Sequence, residues 1–98
     1  MGIQPFDISS EMIQMYDMPQ GVFVSAVIED TAAEKAGMKK GDIITEIEGQ
    51  TMTTRAELMD KLQYYKAGET IEVIVQRSDS GEYKEMTLKV TLEEKPKE

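Results

Sequence analysis

The chain has 98 residues, with 11 Lys+Arg against 19 Asp+Glu, a formal net charge of −8 and 40% hydrophobic residues. That length carries one small domain with one modest core, and the negative balance argues against a nucleic-acid partner. Cysteine and histidine are both absent, which excludes disulfides, thiolate–imidazole metal sites and the Ser–His–Asp and Cys–His routes to an activated nucleophile.

In chain order, the first strand signal is Gly2–Phe6, followed by a short helix over Ser9–Tyr16 with Ser9 or Ser10 as N-cap. Met12, Met15 and Met18 are expected to anchor that helix to the sheet. Val22–Ile28 alternates as a second strand, with Val22, Val24, Ala26 and Ile28 on one face. Thr31–Ala36 reads as a single helical turn, with a Thr31/Glu34 capping-box spacing and Gly37 as its stop. Ile43–Ile47 is a third strand. Thr54–Tyr65 is the one long helix, capped by Thr54 with Glu57. Its apolar stripe is Leu58, Leu62 and Tyr65, widened by Met59. Ile71–Gln76 and Lys84–Leu92 are the last two strands, joined by the turn signal Ser78-Asp79-Ser80-Gly81. The tail 93–98 (EEKPKE) is charged and has no apolar anchor, so it is expected to be flexible.

No βαβ repeat is present, which argues against a doubly wound parallel sheet. The expected fold is mainly β with two to three helices: a small antiparallel sandwich or barrel capped by helices. No apolar run spans a bilayer and no signal peptide is present, so no direct membrane insertion is expected.

The stretch Asp30–Gly49, DTAAEKAGMKKGDIITEIEG, resembles the PDZ signature S-P-A-x-x-A-G-L-x-x-G-D-x-I-x-x-I-N-G. The matching residues are Ala33, Ala36, Gly37, Met38, Gly41, Asp42, Ile44, Ile47 and Gly49. Ala33 and Ala36 are small enough for a helical turn to press onto a sheet. Gly37 suits the left-handed stop. Gly41 and Asp42 shape the turn into the third strand, and Ile44 and Ile47 fill the core. Two positions depart from the pattern: Ala32 stands where the family usually has Pro, and Glu48 where it has Asn or Asp. Gly21–Val24 and Ala67–Ile71 also resemble the family, so the likeness covers nearly the whole chain. Opening on a Φ-Gly-Φ loop and closing on a long strand resembles the permuted PDZ domains of bacterial-type proteases. Among these it is most similar to the C-terminal PDZ domains of HtrA/Deg-type serine proteases.

The resemblance implies one PDZ domain over residues 1–92, with no cofactor. Its carboxylate-binding loop would be Met1, Gly2 and Ile3. A peptide groove would run between the first strand (Gln4, Pro5, Phe6) and the long helix (Leu58, Met59, Leu62 and Lys66). The ligand would add as an antiparallel strand. Alternation directs Met1, Ile3 and Pro5 toward the terminal pocket, and Gln4 and Phe6 away from it. Pro5 lacks an N–H, so main-chain pairing with the ligand is expected to be short. Periodicity fixes the helix stripe but not which edge of it faces the core and which the groove.

The implied ligands are C-termini or extended segments of unfolded or misfolded proteins with an apolar end residue. The implied partner is an attached serine protease domain that the module serves by substrate recognition or regulation. The implied location is extracytoplasmic or membrane-anchored in that parent. Two alternatives share the same edge strand: an assembly or oligomerisation domain, and the PDZ of a tail-specific or intramembrane protease. Ser–Lys hydrolysis is the one route the composition leaves open, through Ser9, Ser10, Ser25, Ser78 or Ser80, but none has a nucleophile-elbow glycine pattern. The acidic pairs Glu29-Asp30 and Glu93-Glu94 lack the alternating oxygens and central glycine of a calcium loop. The chain itself is therefore expected to be non-catalytic and metal-free.

Overall fold

The structure, a computed structural model, describes residues 2–79 and 81–92. Met1, Ser80 of the expected hairpin turn and the expected charged tail 93–98 lie outside the described residues. The elements are β1 (Ile3–Asp7), α1 (Ser10–Tyr16), β2 (Val22–Val27), α2 (Ala32–Lys35), β3 (Ile43–Ile47), β4 (Gln50–Thr51), α3 (Arg55–Leu62), β5 (Thr70–Asp79) and β6 (Glu82–Thr91). The strands form one antiparallel sheet in the order β1-β2-β3-β5-β6, with β4 paired to β3. The expectation of a mainly antiparallel β domain with three helices holds. Among the described residues the strands form one sheet rather than two stacked ones.

A single core cluster draws on β2, β3, β5, β6, α2 and α3, and Ile3 of β1 packs against it too. Residues from both edges of the sheet thus meet around one apolar centre. β5 and β6 contribute directly opposed pairs, Ile71 with Val90 and Val73 with Leu88, and such cross-strand contacts are the unit of sheet stability.

Two bulges set which residues face inward. β2 was expected to present Val22, Val24, Ala26 and Ile28 on one face. The register of β1 on β2 instead shifts between Gln4 and Pro5, from Gln4 opposite Ala26 to Pro5 opposite Val24, which leaves Ser25 unpaired. The extra residue reverses the alternation beyond it. Val22 and Val24 are buried, Val27 joins them against the core, and Ile28 is half exposed. A second shift between Ile44 and Glu46 lets Ile44 and Ile47, three apart, share the core face.

The helices differ from expectation at their ends. α1 is capped by Ser9, whose Oγ accepts from Met12 N at 3.2 Å. Its methionines do not anchor it: Met15 is 75% exposed and Met12 39%, and only Met18, beyond the helix, is buried. Met12, Met15 and Tyr16 share a helical face that the core does not cover. Thr31 precedes α2 without capping it: its Oγ1 donates to Ile28 O at 2.7 Å, and Glu34 Oε1 accepts from Asp30 N at 3.2 Å. The third helix has the N-cap half of the expected box, with Thr54 Oγ1 accepting from Glu57 N at 3.1 Å, while Glu57 Oε1 accepts from the hydroxyls of Thr53 and Thr54 rather than from the Thr54 N–H. It ends at Leu62, and i→i+3 bonds from Gln63, Tyr64 and Tyr65 carry the chain on in tighter turns.

Asp42, 1% exposed, is the one buried charged residue among those described. Arg77 on β5 grips it with both edges of the carboxylate: Nε donates to Oδ1 at 2.8 Å and Nη2 to Oδ2 at 2.7 Å. Arg77 Nη2 also donates to Gly37 O at 2.9 Å, and Lys39 N donates to Asp42 Oδ2 at 2.9 Å. Hydrogen bonding to Asp42 raises the Arg77 pKa above its ordinary value, reinforced by the carboxylate's charge and opposed by burial. A raised pKa contributes stability that is complete below the unfolded value and is lost only as pH climbs through the folded one. The guanidinium side of the pair is therefore lost only in strong alkali.

Removing one partner of a buried pair leaves the other uncompensated. Asp42→Ala should cost about 3 kcal/mol, since Arg77 can rehydrate, and Arg77→Ala about 4 kcal/mol, since Asp42 cannot. Urea unfolding of the two variants checks both the size and the order. The β3–β4 turn carries Glu48 at φ 49° and Gly49 at φ 79°, a pair of left-handed residues that favours Asn-Gly. Glu48→Asn should raise stability by about 0.5–1 kcal/mol, read in the same assay.

Candidate functional site

β1 is the end strand of the sheet, and α3 packs along it. Among the described residues no strand pairs with its outer side. Which backbone groups point there follows from the register. Ile28 N donates to Gly2 O at 2.8 Å, flanking the Ile3–Val27 pair. That makes Ile3 and Val27 a non-hydrogen-bonded pair, so the N–H and C=O of Ile3 turn to the free edge. Gln4 and Phe6 turn back to β2, and Ser25 Oγ donates to Gln4 O at 2.9 Å. Pro5 faces the free edge again, where its missing N–H breaks no ladder bond of the sheet.

Gly2 opens this edge at φ 88°. A side chain here is blocked twice: the left-handed conformation strains any Cβ, and a Cβ would overlap the side chain of Thr31. Thr31, read from sequence as a helix cap, thus braces the loop, and its hydroxyl ties down Ile28 O beside it.

The opposite wall is α3. Glu57, Asp60, Lys61 and Tyr64 turn toward Gln50 on β4 and line a shallow polar depression. At about 100° per residue, Met59 and Leu62 fall on the other flank, the side of β1. Met59 is 53% exposed, while Leu62 and Tyr65 are half-buried against the core, as is Ile3. Ile3 and Pro5 on the edge and Met59 and Leu62 on the helix are thus the apolar residues that border the space between β1 and α3.

Of the residues expected in a groove, Gly2, Ile3 and Pro5 lie along the free edge, and Met59 and Leu62 lie on the flank of α3 away from the polar depression. Gln4 and Phe6 lie on β1 with their side chains on its other face, Phe6 being 53% exposed. Leu58 has 0% exposure. It belongs to the core and has no surface to offer a ligand. Lys66 lies beyond the helix in a turn closed by Glu69 N to Lys66 O at 3.1 Å, next to Gly68 N bound to Leu92 O at 2.7 Å. The ties to the end of β6 are made by its neighbours Gly68 and Glu69, and Lys66 itself lies past the last residue of α3. Thr31 was not expected beside Gly2, and the sequence carries no signal for it, because the contact spans the fold.

The PDZ domain family model matches residues 1–92. The chain belongs to the PDZ domain family. Over 98 residues, 98% of this chain and 20% of the relative, it is 37% identical to a probable periplasmic serine endoprotease, DegP-like, of Marinomonas sp. (strain MWYL1). It is 30% identical over 90 residues, 90% of this chain and 20% of the relative, to the periplasmic pH-dependent serine endoprotease DegQ of Escherichia coli (strain K12). The chain spans about a fifth of the length of these curated relatives. Among solved structures, it superposes on the HtrA3 PDZ domain bound to a phage-derived ligand (FGRWV) with TM-score 0.77 at 18% identity, covering 93% of this chain and 81% of that one. The HtrA-type protease AlgW with decapeptide matches at TM-score 0.72 and 24% identity, over 97% of this chain and 29% of that one. At such identities these two likenesses speak for the fold alone. The PDZ domain is a non-catalytic module, and its relatives here are the PDZ regions of HtrA-type serine proteases. No helix among the described residues is long and apolar enough to cross a membrane.

Gly2→Ala should lower stability by about 1–2 kcal/mol through the left-handed backbone and the Thr31 overlap. Urea unfolding measures the loss, and protection of the Ile28 amide from hydrogen exchange should fall with it.

Proposed function

We propose that this PDZ domain captures the C-terminal segment of a polypeptide as an extra antiparallel strand between β1 and α3. It would do so on behalf of an HtrA-type serine protease working outside the cytoplasm. The observation that carries this reading is the free edge at Ile3, which presents one N–H and one C=O beside a left-handed glycine and an apolar wall. A terminal residue laid opposite Ile3 would give its N–H to Ile3 C=O and take the Ile3 N–H on its carboxylate. Gly2 lets the carboxylate approach the backbone closely. The terminal side chain would lie against Ile3 and Leu62, so an apolar end residue is favoured. Two HtrA-type relatives hold peptides in their solved structures, which supports the mode of binding. The periplasmic relatives support the location.

Titration of the chain with a peptide ending in valine, as free acid and as amide, tests this. The free acid should bind at least about ten-fold more tightly, since a charged acceptor on backbone N–H groups contributes about 1.5–3 kcal/mol. Equal binding of acid and amide would refute the terminal-carboxylate reading. Concentration-dependent self-association that free peptide fails to compete would favour an assembly role for the same edge.

A further inference from the structure

The sheet has a second edge at β6, and we infer that this edge pairs with β6 of another copy of the chain, antiparallel about a two-fold axis at Thr87. β6 ends the sheet opposite β1, and among the described residues no strand pairs with its outer side. It lacks the features that blunt β1. It runs for ten residues without proline, and its register on β5 is unbroken from the Asp79–Glu82 pair to the Thr70–Thr91 pair. The helix packed against it, α2, joins the core cluster of Leu88 and Val90 through Ala32 and Ala33. A long, regular edge is a template for another strand.

Which groups this edge presents follows from the ladder. Leu92 N donates to Glu69 O at 2.8 Å, one step beyond the Thr70–Thr91 pair. Leu92 therefore turns its backbone to β5, and by alternation Thr91, Lys89, Thr87, Glu85 and Tyr83 turn theirs outward. The side chains of Glu85, Thr87, Lys89 and Thr91 are exposed on one face, while Leu88 and Val90 are buried on the other. A second copy must set its own outward residues opposite these. Centred on Thr87, the pairing places Glu85 of each copy against Lys89 of the other, and Tyr83 against Thr91. Centred on Glu85 or on Lys89, it would oppose like charges, which destabilises a sheet. Centred on Met86 or Leu88, it would separate Glu85 from Lys89. Charge complementarity thus selects the Thr87 register. Lys89 already lies opposite Glu72 within the chain, so the second copy places it between two carboxylates. Every outward residue then exchanges bonds, about ten backbone hydrogen bonds in all.

Pairing on this side leaves both β1 edges open. On the reading that β1 takes a peptide, the dimer carries two peptide sites on one body, and a ligand with two free ends gains by avidity. The association itself is weak. A single strand pair lies at the low end of specific interfaces, and the charge of −8 on each copy opposes approach. A dissociation constant of about 0.1 mM is expected at an ionic strength of about 0.15 M, where that repulsion is screened beyond about 8 Å.

Sedimentation velocity of the 98-residue chain over a concentration series tests this, with amide hydrogen exchange to locate the contact. The chain should show a monomer–dimer equilibrium, and the Thr87 amide should gain protection as the dimer fills. Glu85→Lys and Lys89→Glu should each weaken the dimer about ten-fold. An equimolar mixture of those two variants should recover wild-type association, since opposite charges then meet at both places. Thr87→Pro removes an outward N–H without breaking a ladder bond of the sheet, and should weaken the dimer at least about ten-fold. Urea unfolding verifies that each variant folds. Peptide affinity should stay within about two-fold throughout, because β1 is untouched. A chain still monomeric at about 1 mM would overturn the inference, as would a dimer indifferent to these substitutions. A mixture that fails to recover association would overturn the Thr87 register. Protection of the Ile3 amide in place of Thr87 would overturn it too, and would assign the association to β1. Failure of peptides to bind while the Thr87 dimer forms would refute peptide capture and leave this inference standing.

Discussion

The bidentate grip of Arg77 on the buried Asp42 carboxylate is the constraint on which the rest of this domain hangs. A carboxylate with 1% exposure survives only if its lone pairs are occupied, and three donor atoms in two residues occupy them. Those donors come from separate stretches of chain. Arg77 lies on β5, Lys39 lies in the turn before β3, and the same guanidinium holds Gly37 O just past α2. The turn is also pinned to β2, by Gly41 N to Val24 O and Val24 N to Asp42 O, both at 2.8 Å. α2 is therefore fixed against the sheet, and Thr31 at its start is held where it meets Gly2. Gly2 at the start of β1 is positioned through this series of contacts, although Asp42 itself does not touch it.

The free edge that makes the site also carries a risk. An exposed strand edge is a template for unwanted pairing. β1 limits that risk by being five residues long, by placing Pro5 on the open side and by ending where Asp7 binds the helix. A net charge of −8 adds repulsion between copies.

The two bulges show how small insertions in register place side chains. Ser25 and Thr45 each interrupt a strand whose alternation would otherwise turn the wrong residues inward. Ser25 serves the site as well, since its hydroxyl occupies the Gln4 carbonyl. Thr45 Oγ1 similarly donates to Ile74 O at 3.2 Å and keeps the β3–β5 ladder satisfied across its irregularity.

The order of elements, the caps at Ser9 and Thr54, and the final hairpin are local matters. They depend on propensity, capping chemistry and alternation within a few residues, so the sequence alone determined them, save the choice of Ser9 over Ser10 and the two-residue strand β4. The PDZ signature from Asp30 to Gly49 likewise determined the family, because its glycines and small residues answer to local turns and close packing. The left-handed Gly2 and the strand that follows it were legible for the same reason. Tertiary structure alone decided that Leu58 belongs wholly to the core while Met59 stays exposed beside β1, because a helix stripe has no label for its two flanks. It alone decided that Val27 rather than Ile28 turns inward, because a bulge is a property of two strands together. Arg77, Thr31 and Asp7 acquired their roles across 35, 29 and 48 residues of chain. No local pattern encodes such a meeting, and only the closing of the sheet around its core brings those groups within reach.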